Sequence, residues 1–395
     1  MNNFIKKQFL NKKAKYNAIF FPGFPGEYKD RLLTEDLKKL GFNMYSAVYP
    51  GSHGGEGIFN PESVDKMIEI IANYINEQKL PVLLITYSFS TYFILSKLKK
   101  FNKLMGVLLF SPIMDVHKSI KPNFIQDLVE ISKSEGFNID INSWKNYVND
   151  NNRKFEENYN NLLKNNTDIP LVFAIGDNDP VINLPILNGF LNKYITTEGY
   201  NKIIKINVEN GVHKLDTLYE EKAIYKIIVA LVFSYSLEDK YPNMNFYLWG
   251  GALNYRYAHS TTDIDIILIN KTFGFKDFLF LNRYGIQFGK DFGVQMDLSY
   301  NTDLEFSSGE IIRSNRGPSF VHELKYYYWP LKLSRKIVIP DYPDEVIKAD
   351  AMFADSSNLY KSKKGILFGT NETTSLKYVM SRCKSNTSGD PKAKH

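Results

Sequence analysis

The chain has 395 residues, 49 lysines and arginines against 43 aspartates and glutamates, a formal net charge of +6, and a single cysteine, Cys383. That length accommodates two domains with a core each, while one cysteine excludes an intrachain disulfide framework and fits a reducing compartment. No apolar run approaches the roughly 20 residues that span a bilayer, and the lysine-bearing start lacks the apolar stretch and cleavage site of a secretory signal, so a cytoplasmic protein with no membrane span is expected.

Residues 16–21 form an apolar strand that runs into Pro22-Gly23-Phe24-Pro25-Gly26, and residues 32–40 have helical periodicity. A strand over 42–48 follows, then turns at Pro50-Gly51 and His53-Gly54-Gly55, an amphipathic helix over 64–76, a buried strand over 82–86 and a helix over 91–99. Further strands are predicted at 105–110, 171–175 and 203–208. Such alternation predicts a mostly parallel sheet covered by helices on both faces. Residues 115–168 break the rhythm; polar, asparagine-rich and helical in pattern, they suit a lid above the carboxyl edge of the sheet.

Residues 219–237 read as the closing helix, and the polar break at 238–243 ends the first domain, 1–239. The second, 240–350, holds strands at 245–248, 264–269 and 292–300 and a helix at 275–284, a mixed α/β pattern. Residues 325–333 are aromatic and basic, suited either to a core or to stacking on bases. The extension 351–395 carries eight Lys/Arg against three Asp/Glu, a net of +5, which reads as a phosphate-binding tail or as a solubilising terminus.

Where strand 82–86 meets the next helix the sequence reads Thr86-Tyr87-Ser88-Phe89-Ser90. A serine at the tip of a tight strand-to-helix turn exposes its hydroxyl and sets nearby amides at a helix N-terminus, where developing negative charge is stabilised. This turn resembles that of the α/β-hydrolase superfamily, whose elbow reads G-x-S-x-G; Thr86 and Ser90 stand in place of the two glycines. The family order of serine, acid and histidine is met by Asp179, in Gly176-Asp177-Asn178-Asp179-Pro180, and by His213, in Asn210-Gly211-Val212-His213. The resemblance implies that Ser88 attacks a carbonyl, His213 moves the proton and Asp179 fixes the imidazole tautomer, with an oxyanion hole at Phe24 and Phe89. Asp177 is a rival for the acid, His213 could instead cap a helix, His53 reads as a loop histidine, His117 is uncommitted, and Asp115 could line the pocket but is out of order for the acid.

Downstream, Leu248-Trp249-Gly250-Gly251 is followed, twelve residues after Gly251, by Asp263 in Thr262-Asp263-Ile264-Asp265-Ile266-Ile267. Side chains two apart on a strand share a face, so Asp263 and Asp265 are a carboxylate pair that a divalent cation would relieve of its repulsion. The glycine amides can approach phosphate oxygens with no Cβ in the way. Over residues 243–310 this resembles the polymerase-beta-like nucleotidyltransferase superfamily, which uses a third acid on a later strand, here Asp297, with Asp303 and Glu305 less attractive. The resemblance implies that Asp263, Asp265 and Asp297 hold Mg²⁺, or Mn²⁺ in its place, that Asp297 helps deprotonate an acceptor hydroxyl, and that Gly250, Gly251, Arg256 and Ser260 meet a nucleoside triphosphate whose pyrophosphate is released. Arg256 reads equally as a surface residue, and His259 has no partners for a zinc site.

The function expected is bifunctional: a magnesium-dependent nucleotidyltransferase, with RNA, protein or a small molecule as acceptor, fused to a serine ester or acyl hydrolase. Two other readings stand beside it, a transferase whose hydrolase-like half only binds the acceptor, and a non-enzymatic nucleic-acid-binding protein. No residue selects the nucleotide, the acceptor, the acyl group or the oligomeric state.

Overall fold

In a computed structural model of the chain, residues 3–24, 26–27, 31–114, 124–150, 169–192, 203–215, 223–249, 263–271, 274–302 and 328–331 are described. Their strands form two sheets. The first contains β1 (Ile5–Phe9), β2 (Tyr16–Phe21), β3 (Phe42–Ala47), β4 (Val82–Tyr87), β5 (Leu104–Phe110), β6 (Leu171–Gly176) and β7 (Ile203–Val208), in the spatial order β1-β3-β2-β4-β5-β6-β7. Only the edge strand β1 runs antiparallel to its neighbour. The second contains β8 (Asn245–Trp249), β9 (Asp263–Asn270), β10 (Gln295–Thr302) and β11 (Tyr328–Leu331), in the order β10-β9-β8-β11, with β9 and β10 parallel.

The helices are α1 (Arg31–Lys39), α2 (Pro61–Glu77), α3 (Ser90–Lys97), α4 (Phe124–Glu135), α5 (Ile141–Asp150), α6 (Leu184–Asn192), α7 (Ala223–Ser236) and α8 (Phe275–Phe292). β2, β5 and β6 are buried at every position, which is the outcome of near-continuous apolar runs in a parallel sheet covered on both faces. Leu33 and Leu37 of α1 join α7 on one face, while α2, α3 and α6 cover the other. In α2 the buried Val64, Met67, Ile68, Ile71, Ala72 and Ile75 repeat at three- and four-residue spacing, the stripe that a half-buried helix needs. Its start is fixed locally: Asn60 Oδ1 accepts from the Ser63 amide at 2.7 Å, Ser63 Oγ accepts from the Asn60 amide at 3.1 Å, and Pro61 takes the first position.

Helix α7 explains why the run Ala-Ile-Tyr-Lys-Ile-Ile-Val-Ala-Leu-Val-Phe is apolar all round. Every residue from Ala223 to Ser234 is buried, and one continuous core joins it to Leu83, Ile85 and Leu108 of the first sheet and to Phe246, Leu248, Ile264 and Ile266 of the second. Hydroxyls seal both sides: Tyr235 donates to the Leu104 carbonyl at 3.1 Å, Tyr225 to the Phe292 carbonyl at 2.8 Å and Tyr284 to Ser236 Oγ at 2.7 Å. The strands change sheet across residues 238–243, but the apolar core passes through α7 without a gap. Within this helix Lys226 is buried, and that burial lowers its amine from the ordinary lysine range against the opposing pull of Asp263.

Four elements depart from the sequence expectation. β1, α6 and β11 were not anticipated, the first because Lys6 and Lys7 mask a short edge strand. Helix α8 continues to Phe292 and ends at Gly293, in the left-handed region at φ 68°, so β10 begins at Gln295 and not at 292. The segment read as a lid contributes α4 and α5 among the described residues, and Trp144 of α5 is fully buried, its indole nitrogen donating to the Phe59 carbonyl at 3.1 Å.

Candidate active site at the carboxyl edge of the seven-stranded sheet

Strand β4 lies at the centre of the parallel sheet, and the chain leaves it through Ser88 into α3. Ser88 has φ 54°, a left-handed conformation that costs a non-glycine residue energy and recurs where a nucleophile is held on a strained turn. The two residues that replace the glycines of the hydrolase pattern stitch this turn with hydroxyls. Thr86 Oγ1 and Thr91 Oγ1 lie 2.9 Å apart. Ser90 Oγ donates to the Phe21 carbonyl at 2.8 Å and accepts from the Tyr87 amide at 3.0 Å, tying the elbow to the end of β2. A Cβ on Gly23 would sit 3.1 Å from Ser88 Cβ, so this glycine lets the 22–24 turn approach the serine.

The acid and histidine loops pack backbone to backbone. A Cβ on Gly176 would meet the Gly211 carbonyl oxygen at 2.2 Å, so only glycine fits there, and the Asn178 amide donates to that same carbonyl at 3.0 Å. This contact delivers His213 to Asp179: Nδ1 lies 2.8 Å from Oδ2 and 3.0 Å from Oδ1. On the other side of the ring Nε2 lies 2.9 Å from Ser88 Oγ. A carboxylate only accepts, so Nδ1 carries the hydrogen and Nε2 faces the serine as a base. Burial pushes the Asp179 carboxyl up, but the bonds from His213, Val181 and Ile182 outweigh it and hold it below the usual carboxylate range. Asp177, the rival acid, is exposed.

Of the remaining expected site residues, Phe24 and Phe89 flank the elbow with rings 6.2 Å apart, and Phe24 stacks on Phe59 at 3.5 Å. His53 is exposed and edge-on to Phe137 at 4.8 Å. Sequence reading passed over two hydroxyls, those of Tyr87 and Ser111, which both reach the main chain of His213. An open groove of about 510 Å³ lined by Asn43, Tyr45, Tyr74 and Gln78 includes none of the triad.

In the second sheet Asp297 and Asp265 are register partners on parallel strands, with Asp263 two residues earlier on β9. Among the described residues no group of three or more His, Cys, Asp and Glu side chains gathers as a metal-ligand set. Gly250, Gly251, Arg256, His259, Ser260, Asp303 and Glu305 lie outside the described residues, as do His117, Asp115 and the extension 351–395. Among the described residues no helix is long and apolar enough to cross a membrane.

No protein-family model and no curated protein matches the sequence. Solved structures with similarity include a monoacylglycerol lipase from Paleococcus ferrophilus, at 18% identity over 59% of this chain and 98% of that one, with a TM-score of 0.39. Est1E from Butyrivibrio proteoclasticus follows at 14% identity over 60% and 93%, TM-score 0.38. An esterase of Pyrococcus furiosus, Pf2001, has 13% identity over 58% and 88%, TM-score 0.41. Strand order, the left-handed elbow and the Ser88-His213-Asp179 geometry make the first sheet and its helices an α/β unit consistent with the α/β-hydrolase fold.

Proposed function

We propose that the seven-stranded unit is a serine hydrolase acting on carboxylic esters or related acyl groups. The observation that carries this reading is the hydrogen-bonded chain from Asp179 through His213 to Ser88, at 2.8 and 2.9 Å, ending on a serine with φ 54°. Ser88 Oγ adds to the carbonyl carbon while its proton passes to His213 Nε2, and Asp179 stabilises the imidazolium that forms. The tetrahedral oxyanion is received by the amides of Phe24 and Phe89, the latter at the N-terminus of α3. His213 then returns the proton to the leaving alcohol, giving an acyl-Ser88 ester. A water deprotonated by His213 adds to that ester and expels Ser88, releasing the carboxylic acid. Turnover of a p-nitrophenyl ester tests this: the reading requires turnover that Ser88→Ala removes, and turnover unaffected by that change rejects it.

A second reading, nucleotidyl transfer by the four-stranded unit, is favoured by the pairing of Asp265 with Asp297 and by Asp263 on the same side of β9. Three carboxylates are the hard oxygen donors that Mg²⁺ takes. Their side chains do not gather as a ligand set among the described residues. Here the test is pyrophosphate release from each nucleoside triphosphate with and without Mg²⁺. Release that needs both magnesium and Asp263 supports transfer; no release with any of the four nucleotides and a cell extract as acceptor source rejects it.

A further inference from the structure

The carbonyl oxygen of His213 accepts two side-chain hydroxyls from two different strands. Tyr87, at the end of β4 and immediately before the serine, donates one; Ser111, just past the end of β5, donates the other at 2.7 Å. Ser111 is fully buried and itself left-handed at φ 43°, and its amide is held by the Ala174 carbonyl at 2.9 Å. Two residues on, the Ile113 amide donates to the Ser88 carbonyl at 3.2 Å. One short segment therefore grips the main chain of both the serine and the histidine. The Tyr87 ring meets the imidazole edge-on at 5.5 Å and 78°. The ring nitrogens of His213 face Asp179 on one side and the Ser88 oxygen on the other.

The loop that carries His213 needs such a grip. It contains two non-glycine residues in the left-handed region, Asn210 at φ 56° and Leu215 at φ 51°, and Val212 beside the histidine is exposed. A loop of this kind sits at the low-stability end of a fold unless its backbone groups are bonded. Both lone pairs of the His213 carbonyl are used. A displacement of about 1 Å at a reacting group is enough to cost on the order of 10²-fold in rate.

Resting on the hydrolase reading above, we propose that Tyr87 and Ser111 are positioning residues, a two-hydroxyl clamp on the His213 carbonyl that keeps Nε2 in line with the Ser88 oxygen. The clamp acts through the backbone, so its loss reduces the rate of acyl transfer and leaves substrate binding alone.

The full-length protein is compared with Tyr87→Phe, Ser111→Ala and the double variant, measuring kcat and KM on a p-nitrophenyl ester, the rate of fluorophosphonate attachment to Ser88, and the downfield proton resonance of His213 Nδ1–H. Each single change is expected to lower kcat and attachment rate about 3- to 10-fold, and the pair about 10- to 100-fold, at unchanged KM. The resonance broadens or vanishes in the double variant. Should the double variant not fold, the two single variants decide the matter by the same readouts. Variants that fold and keep kcat, attachment rate and resonance within about twofold of the unsubstituted protein overturn the clamp. An unsubstituted protein that shows no attachment at Ser88 overturns instead the hydrolase reading beneath it.

Discussion

His213 Nδ1 donates to Asp179 Oδ2 at 2.8 Å, and the other oxygen of the same carboxylate accepts the amides of Val181 at 2.8 Å and Ile182 at 3.2 Å. These bonds place the carboxyl below its ordinary range in the folded protein. A group whose folded value is depressed contributes stability above its unfolded value and loses that contribution as pH falls through the folded one. Thermal unfolding should therefore show an acid limb beginning near the ordinary aspartate range, about 3.9, and steeper in the unsubstituted protein than in Asp179→Asn. The same variant should lower kcat about 10⁴-fold, since the wrong imidazole tautomer then faces Ser88. Asp177→Asn, at an exposed position, should leave kcat within about twofold.

Glycine at the two positions that flank Tyr87-Ser88-Phe89 should weaken the protein. Ser90 Oγ is a buried link between the turn and the Phe21 carbonyl, and Thr86 Oγ1 is paired with Thr91. Ser90→Gly is expected to cost about 1–3 kcal/mol in urea unfolding, from the lost hydrogen bonds and from glycine at a helix start. A neutral or stabilising result would mean that the hydroxyls do not hold the turn.

The shared helix gives a prediction about cooperativity. Leu231 packs against Gly106 of β5, while Phe233 on the same helix meets Phe288 of α8 at 5.2 Å. Leu231→Ala should cost about 2–5 kcal/mol, and calorimetry should show the two sheets melting in one transition. A chain ended after residue 239 should aggregate, because the face of α7 that meets the second sheet would be bared. A stable monomer of residues 1–239 would show that the first sheet does not need that cover.

Under the nucleotidyl-transfer reading, Asp297→Asn and Asp263→Asn would each abolish magnesium-dependent pyrophosphate release while leaving ester turnover unchanged. That reading also requires a rise in melting temperature with Mg²⁺ and nucleotide that both variants lose, and no rise in the unsubstituted protein counts against it.

Much of the first sheet was legible because its strands are short apolar runs between turn residues, and Ser88, Asp179 and His213 each follow such a run. What the sequence could not give was the closeness of the loops. The contact between Gly176 and Gly211 is non-local, and so are the hydroxyls that travel from β4 and β5 to His213. Helix α8, read as 275–284, runs on through Gly285, where the helix meets Leu298, a Cβ there standing 2.7 Å from Leu298 Cδ1. The continuous core through α7 was hidden because an all-round apolar helix does not say what covers its second face. In the second half, Asp263 and Asp265 were visible as a pair on a strand, and the pairing of β9 with β10 adds Asp297 beside them. The glycine turn and Arg256 lie outside the described residues.

The most direct test is covalent: the full-length protein is treated with a fluorophosphonate probe and the modified residue located by peptide mass. We expect one adduct per chain, on Ser88, formed more slowly by orders of magnitude in His213→Ala. Attachment at another residue, or none at Ser88 with the protein folded, would contradict the serine-hydrolase assignment.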